Sequence, residues 1–312
     1  MNKATIKVLI AMLLWGSLGV FVKNISLDSV EIAFFRGIIG SVFLGIVLFI
    51  RMQNNKKLEQ ENDKLNNDFE DEDKKPSKKS IIIFIISGMA IGLNWVFLFN
   101  SYNYITVANA TIVYYLAPVI VIFVSPIFLK EKLTLKKVLA VICAMIGLVL
   151  IVRTGQSSTN INLTQGIINA FLAACLYASV IILNKFIKNV DDYTKTFIQL
   201  FMASMVLLPW VIFRNNILFD STKSIILILI LGIAHTGIAY CLYFSAMKDL
   251  KAQSIAILGY IDPVSSVVFS IFLLREPFSI YQLIGGVIIL LSAVIAERNP
   301  KPKTIENGEI NL

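Results

Sequence analysis

Residues 115–131 read YLAPVIVIFVSPIFLKE, and residues 260–276 read YIDPVSSVVFSIFLLRE. Tyr115, Pro118, Lys130 and Glu131 of the first stretch meet Tyr260, Pro263, Arg275 and Glu276 of the second at a constant separation of 145 residues. In each copy a proline interrupts a long apolar run, and a glutamate thirteen residues later follows the end of that run. The register holds without a gap from about Gly92 to Val149, so that Gly92 meets Gly237 and Phe99 meets Phe244. A duplicated apolar chain is the sequence mark of a membrane protein made of two related halves, with its working site between them.

Composition agrees. The chain of 312 residues is 57% hydrophobic and 15% charged, with a mean hydropathy of +0.77. A soluble globular domain carries about 25% charged residues. A helix that crosses a bilayer needs about 20 predominantly apolar residues. Ten stretches qualify, at about 4–23, 31–50, 80–100, 106–128, 134–152, 164–184, 194–213, 224–246, 252–273 and 279–296. The expectation is an all-α polytopic membrane protein of ten transmembrane helices, with one five-helix repeat in 1–155 and a second in 162–297. The first run resembles a signal peptide only superficially. It extends past the length of a signal core and ends at Lys23 without a small-x-small cleavage site.

Charge sets the expected orientation. With the N-terminus in the cytoplasm, 22 of the 28 Lys and Arg fall on the inner side. The outer side receives only Lys23, Arg153, Arg214, Lys223 and Arg275, with Arg36 inside a span. Such asymmetry is the positive-inside pattern, and it places both termini in the cytoplasm. Five spans per half is an odd number, so the second half enters the membrane inverted relative to the first. The polar segment 51–79 buries no core and reads as a solvated cytoplasmic insertion, disordered or a short exposed helix. The tail 298–312 reads the same way.

Several function classes lack their residues. No Walker A sequence is present, no His/Cys/acid cluster has metal spacing, no Ser-His-Asp arrangement accompanies the single histidine, and basic residues do not interleave with aromatics as in a nucleic-acid module. No cofactor is expected. Cys143, Cys175 and Cys241 lie within spans without ligand spacing and read as packing residues.

These motifs resemble the ten-span EamA-type permeases of the drug/metabolite transporter superfamily. The resemblance rests on Trp15-Gly16 in the first span, Arg36-Gly37 in the second, and the run from Ser101 through Ala108 to Pro118. Glu131-x-Leu133-Thr134 and Gly147 continue it. The second half repeats the pattern from Ala246 through Ala252 to Pro263, then Glu276-x-Phe278-Ser279, Gln282 and Gly285. It departs at Tyr177-Ala178, which replaces Trp-Gly, at Gln199 near the position equivalent to Arg36, and at Pro277. The resemblance implies a secondary carrier in a prokaryotic cytoplasmic membrane, most often an exporter of amino acids or related metabolites. Efflux of drugs or polyamines is the alternative within transport. A non-transporting scaffold and a lipid head-group enzyme are the alternatives of another class.

Charged groups inside the hydrocarbon cost about 2.5–3.5 kcal/mol at mid-span on insertion scales, so each needs a reason. Asp262 precedes Pro263, where the helix must break. It reads either as the N-cap of the following helix or as a cavity carboxylate facing a substrate amine or a proton. The equivalent break at Ala117-Pro118 has no acid, and its freed N–H groups keep partial positive charge. The two together would suit a zwitterion. His235 reads as a proton-coupling group or as a neutral hydrogen-bonded imidazole. Arg36 either snorkels to the outer headgroups or lines the outer vestibule. Trp15, Asn94, Trp95, Tyr115, Tyr177 and Tyr260 cluster near span centres and are the candidate cavity lining, with Tyr115 and Tyr260 about one turn from their breaks. Glu131 and Glu276 open the fifth and tenth spans and read as caps of those helices. Glycines 37, 40, 147, 285 and 286 read as close helix contacts.

Overall fold

The computed structural model describes residues 3–62, 78–129, 134–154, 163–187, 190–213, 221–247, 249–250 and 258–297. Among them the chain is helical, with no strand. The helices are α1 (Lys3–Lys23), α2 (Ser29–Asn62), α3 (Lys78–Ser101), α4 (Val107–Tyr114), α5 (Ala117–Leu129), α6 (Leu135–Thr154), α7 (Leu163–Asn184), α8 (Asp192–Phe213) and α9 (Thr222–Ile230). A π-helical segment π1 (Leu231–Ile238) follows α9 directly and runs into α10 (Ala239–Met247). Beyond it lie α11 (Ile261–Leu273) and α12 (Ile280–Glu297).

Seven helical runs are long and apolar enough to cross a membrane: Lys3–Lys23, Ser29–Asn54, Ser80–Ser101, Val107–Phe128, Leu163–Asn184, Asp192–Phe213 and Thr222–Met247. Three further apolar helices are shorter: Val138–Leu150, Ile261–Leu273 and Ile280–Ser292. Each of these runs overlaps one of the stretches expected from the sequence. The protein is a multi-pass membrane protein.

Local chemistry fixes the helix starts. The Thr106 hydroxyl accepts from the Asn109 N–H at 3.2 Å, and the Ser221 hydroxyl accepts from Ser224 N–H at 3.2 Å. At α12 the Ser279 hydroxyl accepts from Gln282 N–H, while the Gln282 side chain accepts from Ser279 N–H at 2.7 Å. This reciprocal pair is a capping box and satisfies two otherwise orphaned donors.

Packing couples distant parts of the chain. Helix α1 lies against α11 and α10, α7 lies against α3, α4 and α5, and α2 against α8 and π1. The two late helices α6 and α12 pair with each other. At that crossing a Cβ on Gly147 would stand 2.6 Å from the Gly285 carbonyl oxygen, so the backbones touch. At the α1–α11 crossing a Cβ on Gly16 would fall 1.9 Å from the Ser265 hydroxyl. Small residues are what permit helices to approach this closely where no hydrophobic force acts between them.

The structure corrects three expectations, and of the two readings of the 51–79 segment its start takes the helical one, since α2 continues to Asn62, while 63–77 lie outside the described residues. First, the break in the fourth span falls at Tyr115–Leu116, and Pro118 sits in the first turn of α5. Proline is tolerated there because its missing N–H is one the helix would leave unbonded anyway. Second, the N-cap position of α11 is Tyr260, which makes no side-chain capping bond, and Asp262 and Pro263 lie inside the first turn. Asp262 is therefore not the N-cap. Third, Glu276 does not cap its own helix, because the Ser279–Gln282 box already does. Its carboxylate accepts instead from the Val107 N–H at 2.8 Å, across the molecule at the start of α4. Glu131, the segment 155–162 and the tail 298–312 lie outside the described residues.

Candidate functional site

Beside the turn that ends α4 and the start of α11 lies a cavity of about 390 Å³. Both breaks face it with a polar group. The Tyr115 hydroxyl donates to the Asp262 carboxylate at 2.7 Å, which ties the end of α4 to the start of α11. An interrupted helix places side chains and unpaired backbone toward a cavity without exposing them to lipid. That is why both groups survive at this depth.

Arg36 forms the opposite pole. It is 4% exposed and lines the cavity from α2. Its Nε donates to the Thr236 hydroxyl at 2.9 Å, and its guanidinium lies 4.1 Å from the centroid of the Trp95 ring. A cation over an indole face is stabilised by the ring quadrupole, by roughly 2 kcal/mol when desolvated. Arg36 is thus buried in the wall of this cavity and held there by its own contacts. Among the described residues no carboxylate forms a salt bridge with it.

The π-segment supports this arrangement. Thr236 donates its hydroxyl proton to the Leu231 carbonyl at 2.9 Å, a bond across the widened turn, and so presents its oxygen to Arg36. The Trp15 indole N–H donates to the His235 carbonyl at 2.9 Å. π-Bulges occur mostly as single widened turns at functional sites, and this one runs for eight residues.

The remaining wall is aromatic and amide-bearing. Trp15 packs edge-on against Tyr240 and tilted against Tyr243, with ring centroids 5.2 and 5.4 Å apart. Tyr114 stacks on Tyr177 at 5.3 Å. The Asn94 amide donates to the Ala173 carbonyl at 2.6 Å, which fixes its orientation at the α3–α7 contact. The cavity reaches one face of the molecule at Asn184, Asp192, Lys195 and Met247. There Lys195 pairs with Asp192 at 2.5 Å, with both side chains partly exposed.

Of the candidates, the structure brings Trp15, Arg36, Asn94, Trp95, Tyr115, Tyr177 and Asp262 to one cavity. Two are not there. Tyr260 is absent from the wall and packs against the main hydrophobic core. His235 is also absent from the wall. It is buried between π1 and α1, with Nε2 3.0 Å from the Ser17 hydroxyl and its ring edge-on to Phe21 at 4.5 Å. Sequence reasoning missed Thr111 and Ser266, whose hydroxyls meet at 2.9 Å on the cavity floor. Isolated hydroxyls in apolar runs give no signal until the facing helix is known.

Comparison with known proteins fits this architecture. A model of the EamA-like transporter family matches residues 2–153 and again residues 164–297. An uncharacterized transporter YxxF of Bacillus subtilis is 31% identical over 310 residues, covering 98% of this chain and 94% of the relative. An uncharacterized inner membrane transporter YicL of Salmonella typhimurium is 24% identical, covering 94% of this chain and 95% of its own length. A solved crystal structure covers 95% of this chain and 98% of its own, with a TM-score of 0.60 at 17% identity, a likeness of fold alone. On these matches, which run through both halves, the chain belongs to the EamA-like transporter family.

Proposed function

We propose that this transporter is a secondary carrier for small zwitterionic metabolites, amino acids or close relatives, and that it works by alternating access. The observation that carries the reading is the pair of opposite charges on the cavity wall, Asp262 held by Tyr115 and Arg36 over Trp95. A buried charge pair not joined to each other is complementary to a ligand bearing both signs. The carboxylate of Asp262 faces the amine, and the guanidinium of Arg36 faces the acid. A volume of about 390 Å³ lies in the range of small-ligand pockets, and the aromatic wall suits an apolar side chain.

Two inverted five-helix halves, 1–155 and 162–297, make alternating access possible. The packing supports this reading: α1 meets α11, the fourth run of the second half, as α7 meets α4 and α5, the fourth run of the first, and α6 meets α12 as equals. α1 has Ala4 and Val8 beside Ala246 at one face and Lys23 paired to Glu276 at the other. α7 starts where Gly166 abuts Tyr104 and Ile105 at the second face, so the repeat mates run in opposite senses. The charge asymmetry supports a reading with both termini inside a prokaryotic cytoplasmic membrane, and export is the direction that the family resemblance favours. Asp262 is the cavity carboxylate on which a proton gradient would act.

Polyamine or cationic-drug efflux is less well supported, because Arg36 at the same wall repels a second cation. A scaffold has no use for a cavity with two charges in its wall. The test is efflux from proteoliposomes preloaded with a panel of labelled amino acids, diamines and monocarboxylates. Zwitterions should move, and Asp262→Asn should lower their flux at least about tenfold, the effect of losing one charge-assisted contact. Flux of diamines alone, or unaltered zwitterion flux in Asp262→Asn, would overturn the assignment.

A further inference from the structure

One carboxylate joins three helices at the Lys23 end of α1. Glu276 pairs through one oxygen with Lys23 at the end of α1. Its other oxygen accepts from the Val107 N–H at the start of α4, and from the Ser270 hydroxyl of α11. The contact continues inward as a polar seam between α4 and α11. Ser270 accepts from the Ala108 N–H at 3.3 Å, Thr111 meets Ser266 at 2.9 Å, and Tyr115 meets Asp262 at 2.7 Å. The last two rungs belong to the cavity wall itself. Hydrogen bonds thus line the whole way from cavity to surface, between two helices whose outer sides are apolar. Arg275, immediately before the carboxylate, has a left-handed backbone with φ 54°, unusual in a non-glycine residue. Local strain of this kind persists where the surrounding contacts hold it, and it concentrates at switch regions.

We propose that Glu276 is the gate residue of the transport cycle on this face: its release of Lys23 and of the α4 N-terminus lets the α4–α11 seam part and opens the cavity to the side on which it is now closed. A seam of small hydroxyls and backbone amides exchanges its partners for water on parting, where an apolar seam would resist wetting. The seam also gives substrate a handle on the gate. A ligand that takes the Asp262 carboxylate from Tyr115 loosens the innermost rung of the same short helix whose other end Glu276 holds. The inference rests on the carrier reading above.

The test is side-specific labelling of the full-length protein in cells and in inside-out vesicles. Cys143, Cys175 and Cys241 are replaced by Ser, and Leu98→Cys on the cavity wall is the reporter. A membrane-impermeant maleimide should reach the reporter from the mouth side in every variant. From the latched side, Glu276→Gln should raise the labelling rate about tenfold or more, the equivalent of one lost charge-assisted hydrogen bond. Lys23→Gln, which leaves the Val107 and Ser270 contacts in place, should raise it by less. A Glu276→Gln protein that runs monodisperse, keeps mouth-side labelling and gains none from the latched side would overturn the gate. If Glu276→Gln fails to fold, Lys23→Gln decides alone by the same criterion. Labelling gained by a protein that moves no solute would retain the latch and sink the carrier, whereas flux without any change in labelling would sink the latch alone.

Discussion

Arg36 and His235 show how little a residue's type says about its role until its facing is known. Both are ionisable groups in apolar runs, yet only Arg36 borders the cavity. Arg36→Lys keeps the charge but loses the planar fork and the stack on Trp95. The expected result is a KM for zwitterions raised by about tenfold, the loss of roughly one charged hydrogen bond, with little change in maximal rate. A carboxylate-free amine analogue should show no such rise, and paired flux measurements on the two substrates check this. For His235→Gln the expected outcome is an unchanged pH profile of transport together with lower stability. The variant loses the edge contact with Phe21 and disturbs the bond to Ser17, a cost of about 1–2 kcal/mol. Thermal unfolding in detergent, beside flux at two pH values, separates these effects. An altered pH profile would return His235 to the coupling path.

Among elements, the broken helices carry most of the architecture, and they were only half legible. The duplicated prolines announced that the fourth and ninth spans are interrupted. They did not give the phase of the interruption, which depends on where the neighbouring helices allow a turn. Tyr115–Leu116 takes the turn in one copy, and Tyr260 stands at the head of α11 in the other. The turn falls at the equivalent tyrosine in both copies, yet Tyr115 lines the wall while Tyr260 packs against the hydrophobic core, a difference set by the neighbouring helices and not by the repeat. The π1 segment had no sequence signal at all, since a widened turn is imposed by the contacts of Thr236, His235 and their partners. Close approach was easier to read, because glycine in an apolar run has few other uses. Gly16→Val should overfill the α1–α11 crossing against Ser265 and the Asp262 carbonyl, at a cost of about 1–3 kcal/mol. The check is a lowered unfolding temperature accompanied by lost flux. An undiminished melting point would mean that α1 and α11 are free to separate.

At the level of the whole molecule the repeat and the charge distribution were visible in the sequence, because duplication and loop charge are properties of the chain rather than of its packing. The orientation they imply has a direct test. Alkaline phosphatase fused after residue 158, in the segment between the halves, should be active outside the cytoplasm, and green fluorescent protein fused at the C-terminus should fluoresce inside it. The opposite pattern would reverse the membrane sidedness of the Glu276 latch. The chain has only three tryptophans, and two of them, Trp15 and Trp95, stand in the cavity wall, one beneath a guanidinium. The third, Trp210, is an exposed residue of α8. With Trp210 replaced by phenylalanine, every indole photon emitted by the protein originates beside the bound solute. Its ultraviolet emission then becomes a label-free gauge of occupancy, readable during turnover without any added dye.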